Sequence, residues 1–247
     1  MTNQFKKMMD EAFEATKKVL KQRKKDLSEE GWNTDKQKEF YTIFGMSGSA
    51  MITVDSKEER EKVKKARSED KDSSEAPPMD PYIETRDNIT AYIYMKESVD
   101  RLFDMCEKIY VKPPLDGAPL IHGNFVNQTD RTNSSANVRA DQNLGLKPEL
   151  YEKVLKINIH QNFVCKPLMG FDSQVSTLCH ELSHFFRSQD TKHGGMGTDD
   201  MPMVGGFSAT KEYIKYANDL KSVGDQDVFK NAYNIERYFE LVINDND

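Results

Sequence analysis

His180 and His184 bracket Glu181 in the run His-Glu-Leu-Ser-His, and this spacing constrains the chain more than any other feature. On a helix, residues i and i+4 lie one above the other, so two imidazoles at that spacing can aim at one point. The glutamate reaches the same cleft, where it can take a proton from a water activated by a metal ion. The flanking residues predict a helix independently. Asp172 and Ser173 are good N-caps, and Val175, Leu178, Cys179, Leu182 and Phe186 recur at spacings of three and four. A helix drawn from Asp172 to Ser188 would bury one stripe and turn its histidines to the other side. Two histidines on a buried helix can also be mere core hydrogen-bonding groups. The chain has only five, however, His122, His160, His180, His184 and His193, and two of them fall at ligand spacing around a glutamate.

A catalytic zinc usually has three protein ligands and an open position. The third is expected downstream, on a segment that folds back over the helix. Asp199 and Asp200 are the obvious carboxylates, with glycines nearby that allow the turn. His193, Glu212 and Glu236 compete, and a glutamate would give a thermolysin-like arrangement. Spacing favours Asp200 and leaves the others open.

The length, 247 residues, suits one large domain or two small ones. The reading adopted is a single domain over 1–247, with a helical part over 1–110 that carries a flexible loop at about 67–81, and a catalytic core over 111–247. A net charge of −6 argues against a nucleic-acid partner, since phosphate binding wants a basic surface. No apolar run approaches the roughly 20 residues needed to cross a bilayer, so membrane insertion is not expected. The N-terminus leads into a charged helix without a signal-peptide core. Export is then expected by a specialised or non-classical route, and otherwise a cytoplasmic location. Cys106, Cys165 and Cys179 form no disulfide framework and read as thiols, with Cys179 a small core filler. Composition says nothing about oligomeric state.

Along the chain, residues 4–28 read as an amphipathic helix with a lysine-rich outer face. Asp35 to Phe44 reads as a second helix ending at Gly45, and 46–54 holds a short strand. Asp55 to Lys65 reads as a charged helix, Arg67 to Pro81 as a polar loop, and Asp87 to Tyr110 as a long helix. Residues 111–150 are turn-rich, with a short strand at Asn137 to Ala140. In Val154 to His160, Leu155, Ile157 and Ile159 alternate with polar residues, which predicts a strand with one dry face. Its exposed edge could pair with an extended substrate, with His160 on the polar side. Helices at Ser208 to Leu220 and Asp225 to Val242 complete the chain, which has no internal repeats.

The run His180-Glu181-Leu-Ser-His184, followed by Gly197-Thr198-Asp199-Asp200, resembles the aspzincins, the family of deuterolysin and the fungal lysine-specific metallo-endopeptidases. Their signature is His-Glu-x-x-His followed by Gly-Thr-x-Asp. The likeness extends over about 154–242. It includes Ile157 to Phe163, Pro167, Gly170 and Asp172-Ser173, and Asn231 to Glu240 is similar to the family's Asn-Ala-Asp-Asn-Tyr-Glu-Tyr-Phe segment. Tyr41-Thr-Ile-Phe44-Gly45 resembles an early Tyr-Phe-Gly element.

The resemblance implies an α+β, zincin-like metallopeptidase fold, mostly helical, with a small mixed sheet whose edge strand flanks the active-site helix. It implies Zn2+ held by His180, His184 and Asp200, Glu181 as general base, and hydrolysis of a protein or peptide substrate. A secreted effector or toxin fits, since relatives mostly act outside the cell that makes them. Two departures stand out. The family places Tyr-Gly after the aspartate and two further residues, and that tyrosine is thought to hold the oxyanion. Here the run is Met201-Pro-Met203-Val-Gly205, so Tyr213 or Tyr216 would have to serve, or turnover would be slower. The family's lysine preference is attributed to acids of the C-terminal segment. Glu236 matches one, and Tyr233 stands where an aspartate would. A zinc-binding protein with little turnover is the alternative reading.

Overall fold

The N-terminal apolar stripe forms helix α1 (Asn3–Asp26), which buries Phe5, Met9, Phe13, Val19 and Leu20. The computed structural model describes residues 3–54, 86–109, 120–130, 134–138, 155–185, 196–202 and 210–244. The expected helix Asp55 to Lys65, the loop about 67–81 and much of the stretch 111–150 lie outside these residues. Helix α2 (Thr34–Phe44) starts at Asn33, whose side chain accepts from the Asp35 and Lys36 amides, and stops at Gly45. Gly45 has φ +71°, and a Cβ there would sit 1.9 Å from the Lys221 carbonyl oxygen, so no other residue fits without displacing that backbone.

Strand β1 (Met51–Val54) pairs antiparallel with β2 (Arg86–Thr90), placing Met51 opposite Thr90 and Ile52 opposite Ile89. The helix expected from Asp87 therefore starts later, as α3 (Ala91–Lys108). Pairing buries Ile89 beside Ile52. Asp, Asn and Thr compete with the helix through local bonds, and Thr90 instead caps α3 by accepting from the Ile93 amide.

The second sheet holds β3 (Ile121–His122), β4 (Phe125–Asn127), β5 (Ala136–Val138) and β6 (Ile157–Ile159), in the order β3-β4-β6-β5. It is mixed: β4 and β6 run parallel, and the other pairs are antiparallel. The strand expected to present a free edge, β6, is therefore interior, and among the described residues β5 stands at the end of the sheet. The reason is long-range pairing, which alternation along β6 does not encode. His160 is correspondingly buried, with Nε2 2.9 Å from Asn137 Oδ1, and not on an open polar face. Its amide donates to the Ser135 carbonyl and continues the β5 ladder.

Helices α4 (Gln161–Val164), α5 (Gln174–Ser183), α6 (Thr210–Val223) and α7 (Ala232–Tyr238) follow, with a 3-10 turn at Gln226–Phe229 before α7. The single helix expected from Asp225 to Val242 is broken because Asn231 turns its side chain back to cap α7. Every residue of α5 is buried, the histidine included. The expected one-stripe helix is thus surrounded, with α1, α3, α4, α7 and β5 packed about it. Phe13 meets Phe125 edge-on at 5.6 Å, and Phe44 packs on Phe229 and Tyr238 at 4.9 and 5.5 Å. These rings belong to a core whose members run from α1 to α7. Each such side chain contributes roughly 1.5–3 kcal/mol of burial. No described helix is long and apolar enough to cross a membrane.

Candidate metal centre

The site is built at the C-terminal end of α5. Ser173 and Ser176 form a reciprocal capping box, with amide-to-hydroxyl distances of 3.1 and 3.0 Å, and this sets the helix start. Asp172, the other expected cap, has φ +46° and instead pairs with Lys166 at 2.6 Å. Helix α5 ends with His184 at its C-cap. The two histidine rings stand 4.9 Å apart and nearly perpendicular. One donor atom from each of His180, Glu181 and His184 falls within a 4.8 Å cluster.

The segment 196–200 folds back onto this end and is held on both sides. The Gly197 and Thr198 amides donate to the Ser183 carbonyl at 2.7 and 3.0 Å, and the Ser183 and Thr198 hydroxyls bond to each other. Gly197 makes the turn at φ +93°. On the other side, the Asp199 amide donates to Lys230 and the Asp199 carbonyl accepts from Ala232, a one-residue parallel bridge to the start of α7. Asp200 is thereby delivered to the histidines. Its Oδ1 lies 3.0 Å from His180 Nε2 and 3.9 Å from His184 Nε2.

The hydrogen bonds fix what each Nδ1 faces, and the two Nε2 atoms are left turned toward Asp200. His184 Nδ1 is 2.8 Å from the Thr198 carbonyl oxygen, which can only accept, so Nδ1 carries the proton and Nε2 a lone pair. His180 Nδ1 is 3.1 Å from Glu236 Oε2, and Oε1 of the same carboxylate accepts from Ser176. A carboxylate on Nδ1 and a free Nε2 is the usual state of a metal-ligating histidine. A proton between His180 and Asp200 would satisfy that pair alone, whereas His184 faces the same oxygen. Donors about 2.0–2.1 Å from one tetrahedral zinc lie about 3.3 Å apart, and the two distances to Asp200 bracket that value. The residues present therefore fit a divalent ion of the zinc type. The Asp200 side chain is 44% exposed, so solvent reaches this point from its side.

Electrostatics separate the groups. Burial pushes the Glu181 carboxyl up to about 7, Asp200 and Glu236 add to that, and His180 and Lys166 oppose it. A carboxyl poised there can both take and return a proton near neutrality. Burial and the neighbouring His180 bring His184 down to about 4, so it is neutral at ordinary pH. For His180, burial is outweighed by Asp200 and Glu236, and the ring is held well above its usual value.

The other candidates fall as follows. Glu236 stands behind His180, on Nδ1, with its side chain 13% exposed, and not among the Nε2 atoms. Glu212 lies exposed on α6. Tyr216 packs against the core. Tyr213 stacks face to face on Tyr233 at 5.2 Å, and it is Tyr233 that meets the His180 ring edge-on at 5.0 Å. His193 lies outside the described residues. Cys179 is buried, and burial raises its thiol well above the usual range, which leaves it inert. Ser183, Ser176 and Tyr233 were not singled out by motif. Only the Asn231-to-Glu240 likeness pointed toward the last of them.

No family model and no curated protein matches the chain. Among solved structures it is similar to a zinc peptidase from Grifola frondosa, at 14% identity and a TM-score of 0.40, over 97% of this chain and 96% of that one.

Proposed function

We propose that the chain is a zinc-dependent endopeptidase in which His180, His184 and Asp200 hold the metal and Glu181 is the general base. The observation that carries this reading is the meeting of two Nε2 atoms and the Asp200 carboxylate at one solvent-reached point, with Glu181 beside it. When bound there, zinc would supply a Lewis acid to polarise the scissile carbonyl and acidify the attacking water. Glu181 accepts the proton of that water on its carboxylate and returns it to the leaving amine. Tyr233, whose phenol is held protonated by burial and by the nearby Asp200, Glu236 and Glu181 charges, offers a hydroxyl to the oxygen of the scissile carbonyl. Tyr213 braces its ring. Among the described residues β5 (Ala136–Val138), next to α5, ends the sheet, and an extended peptide would add there as a further strand.

The test is a digest of a proteome-derived peptide library by zinc-loaded protein, read by mass spectrometry, with Glu181→Gln alongside. Cleavage by the wild type alone is expected. Equal cleavage by Glu181→Gln would sink the mechanism. Bound zinc without any cleavage would favour a binding protein instead.

A further inference from the structure

We propose that Glu236 is a positioning residue of the metal centre: through Nδ1 of His180 it fixes the tautomer and raises the basicity of that ligand, and it does not face substrate. The inference rests on the metal-site reading above. Ser176 and His180 are four residues apart on α5, so both present to the same neighbour. That neighbour is α7, and the Glu236 carboxylate spans the two. Its Oε2 accepts from His180 Nδ1 and its Oε1 from the Ser176 hydroxyl, each at 3.1 Å.

The Ser176 hydroxyl also lies 3.1 Å from the Ser173 carbonyl, but it has one proton, and a carboxylate is the stronger acceptor. Ser176 in turn accepts from the Ser173 amide. The relay therefore runs from the cap of α5 to the carboxylate and on to the imidazole. With both oxygens engaged and the side chain 13% exposed, Glu236 has little left to offer a ligand.

The two histidines differ in how they are held. His184 gives its Nδ1 proton to a neutral backbone carbonyl, that of Thr198. His180 gives its own to an anion, and an anion on Nδ1 makes Nε2 the better electron donor. Tyr233, three residues before Glu236 on α7, meets the same ring edge-on. Helix α7 thus grips His180 at two points, and His180 is the ligand whose strength depends on a side chain that substitution can remove.

The experiment is zinc affinity by competition with a chromogenic chelator, for wild type, Glu236→Ala, Glu236→Gln and Ser176→Ala, each compared only after its melting curve shows it folded. Glu236→Ala is expected to bind zinc about 10- to 100-fold more weakly. Glu236→Gln keeps an acceptor but no charge and loses less, and Ser176→Ala loses least. The visible absorption of the cobalt(II)-substituted protein shifts in Glu236→Gln, which a purely structural role would not cause. If Glu236→Ala does not fold, the other two variants decide. Wild-type affinity and an unchanged cobalt spectrum in the folded variants overturn the proposal and leave the metal site standing. A wild type that binds no zinc overturns the site reading itself.

Discussion

Arg23 and Tyr238, 215 positions apart, are joined by a 2.6 Å hydrogen bond from the guanidinium Nε to the tyrosine carbonyl. The same guanidinium carbon lies 4.1 Å from the Tyr238 ring centroid. Arg23 Nη1 also meets Asp26 at 3.1 Å and Glu39 at 2.7 Å, with the Arg23 side chain 2% exposed. The cluster ties α1 and α2 to the last turn of the helix that grips His180.

Removing the cation leaves the buried Asp26 and the half-buried Glu39 with Lys36 as their remaining cation. Arg23→Met is expected to cost up to about 3–5 kcal/mol of folding stability, since it breaks a buried ion cluster and leaves two acids sharing one cation. Urea unfolding measures this. A loss below about 1 kcal/mol would mean that the cluster behaves like an exposed pair.

The same cluster sets a pH dependence. Burial alone would raise the Glu39 carboxyl, but Arg23 and Lys36 outweigh it and hold it below 4.5. The unfolded chain then binds the proton more readily than the folded one. The stability from Glu39 is fully present above about 4.5 and is lost as pH falls through the lower folded value. Urea midpoints of wild type and Glu39→Gln should therefore converge as pH drops from about 7 to about 3. Divergence in acid would contradict the assignment.

Zinc content separates the candidate third ligands. Asp200→Ala is expected to lose the metal on dialysis at a zinc level that keeps the wild type loaded. Glu212→Ala is expected to retain one zinc per chain, as read by atomic emission. The reverse result would move the third ligand to α6.

Tyr233→Phe keeps the ring and its contacts and removes only the hydroxyl. Once a cleaved peptide is known, kcat should fall about a hundredfold, the typical effect of losing one oxyanion donor, with KM and zinc content nearly unchanged. Tyr216→Phe should leave kcat within about twofold, since its ring packs against the core. A large loss in Tyr216→Phe with none in Tyr233→Phe would reverse the choice between them.

The parts legible in the sequence are those with a local cause. The meeting of His180 and His184 follows from helical spacing, and Asn33, Thr90, Ser173 and Gly45 mark their helix ends by their own chemistry. Asp200 stood out because glycine and threonine precede it, and the structure gives both work: Gly197 makes the turn and Thr198 holds Ser183 and His184. What could not be read depends on which elements meet. Alternation makes Ile157 to Ile159 a strand but does not say that β5 covers its far side. The helical pattern at Asp87 gave way to pairing with Met51–Val54. Glu236 could be matched to a family position, but only the packing of α7 on α5 shows it at Nδ1 of His180, and only the stack of Tyr213 shows Tyr233 as the ring beside it.

Because every residue of α5 is buried, the helix that carries His180 and Glu181 has no separate melting of its own. Its backbone amides should exchange with deuterium only when the whole molecule opens, at the rate of the slowest core protons. Heat inactivation and global unfolding should then trace the same curve, and a variant that keeps its fold keeps its two histidines in register.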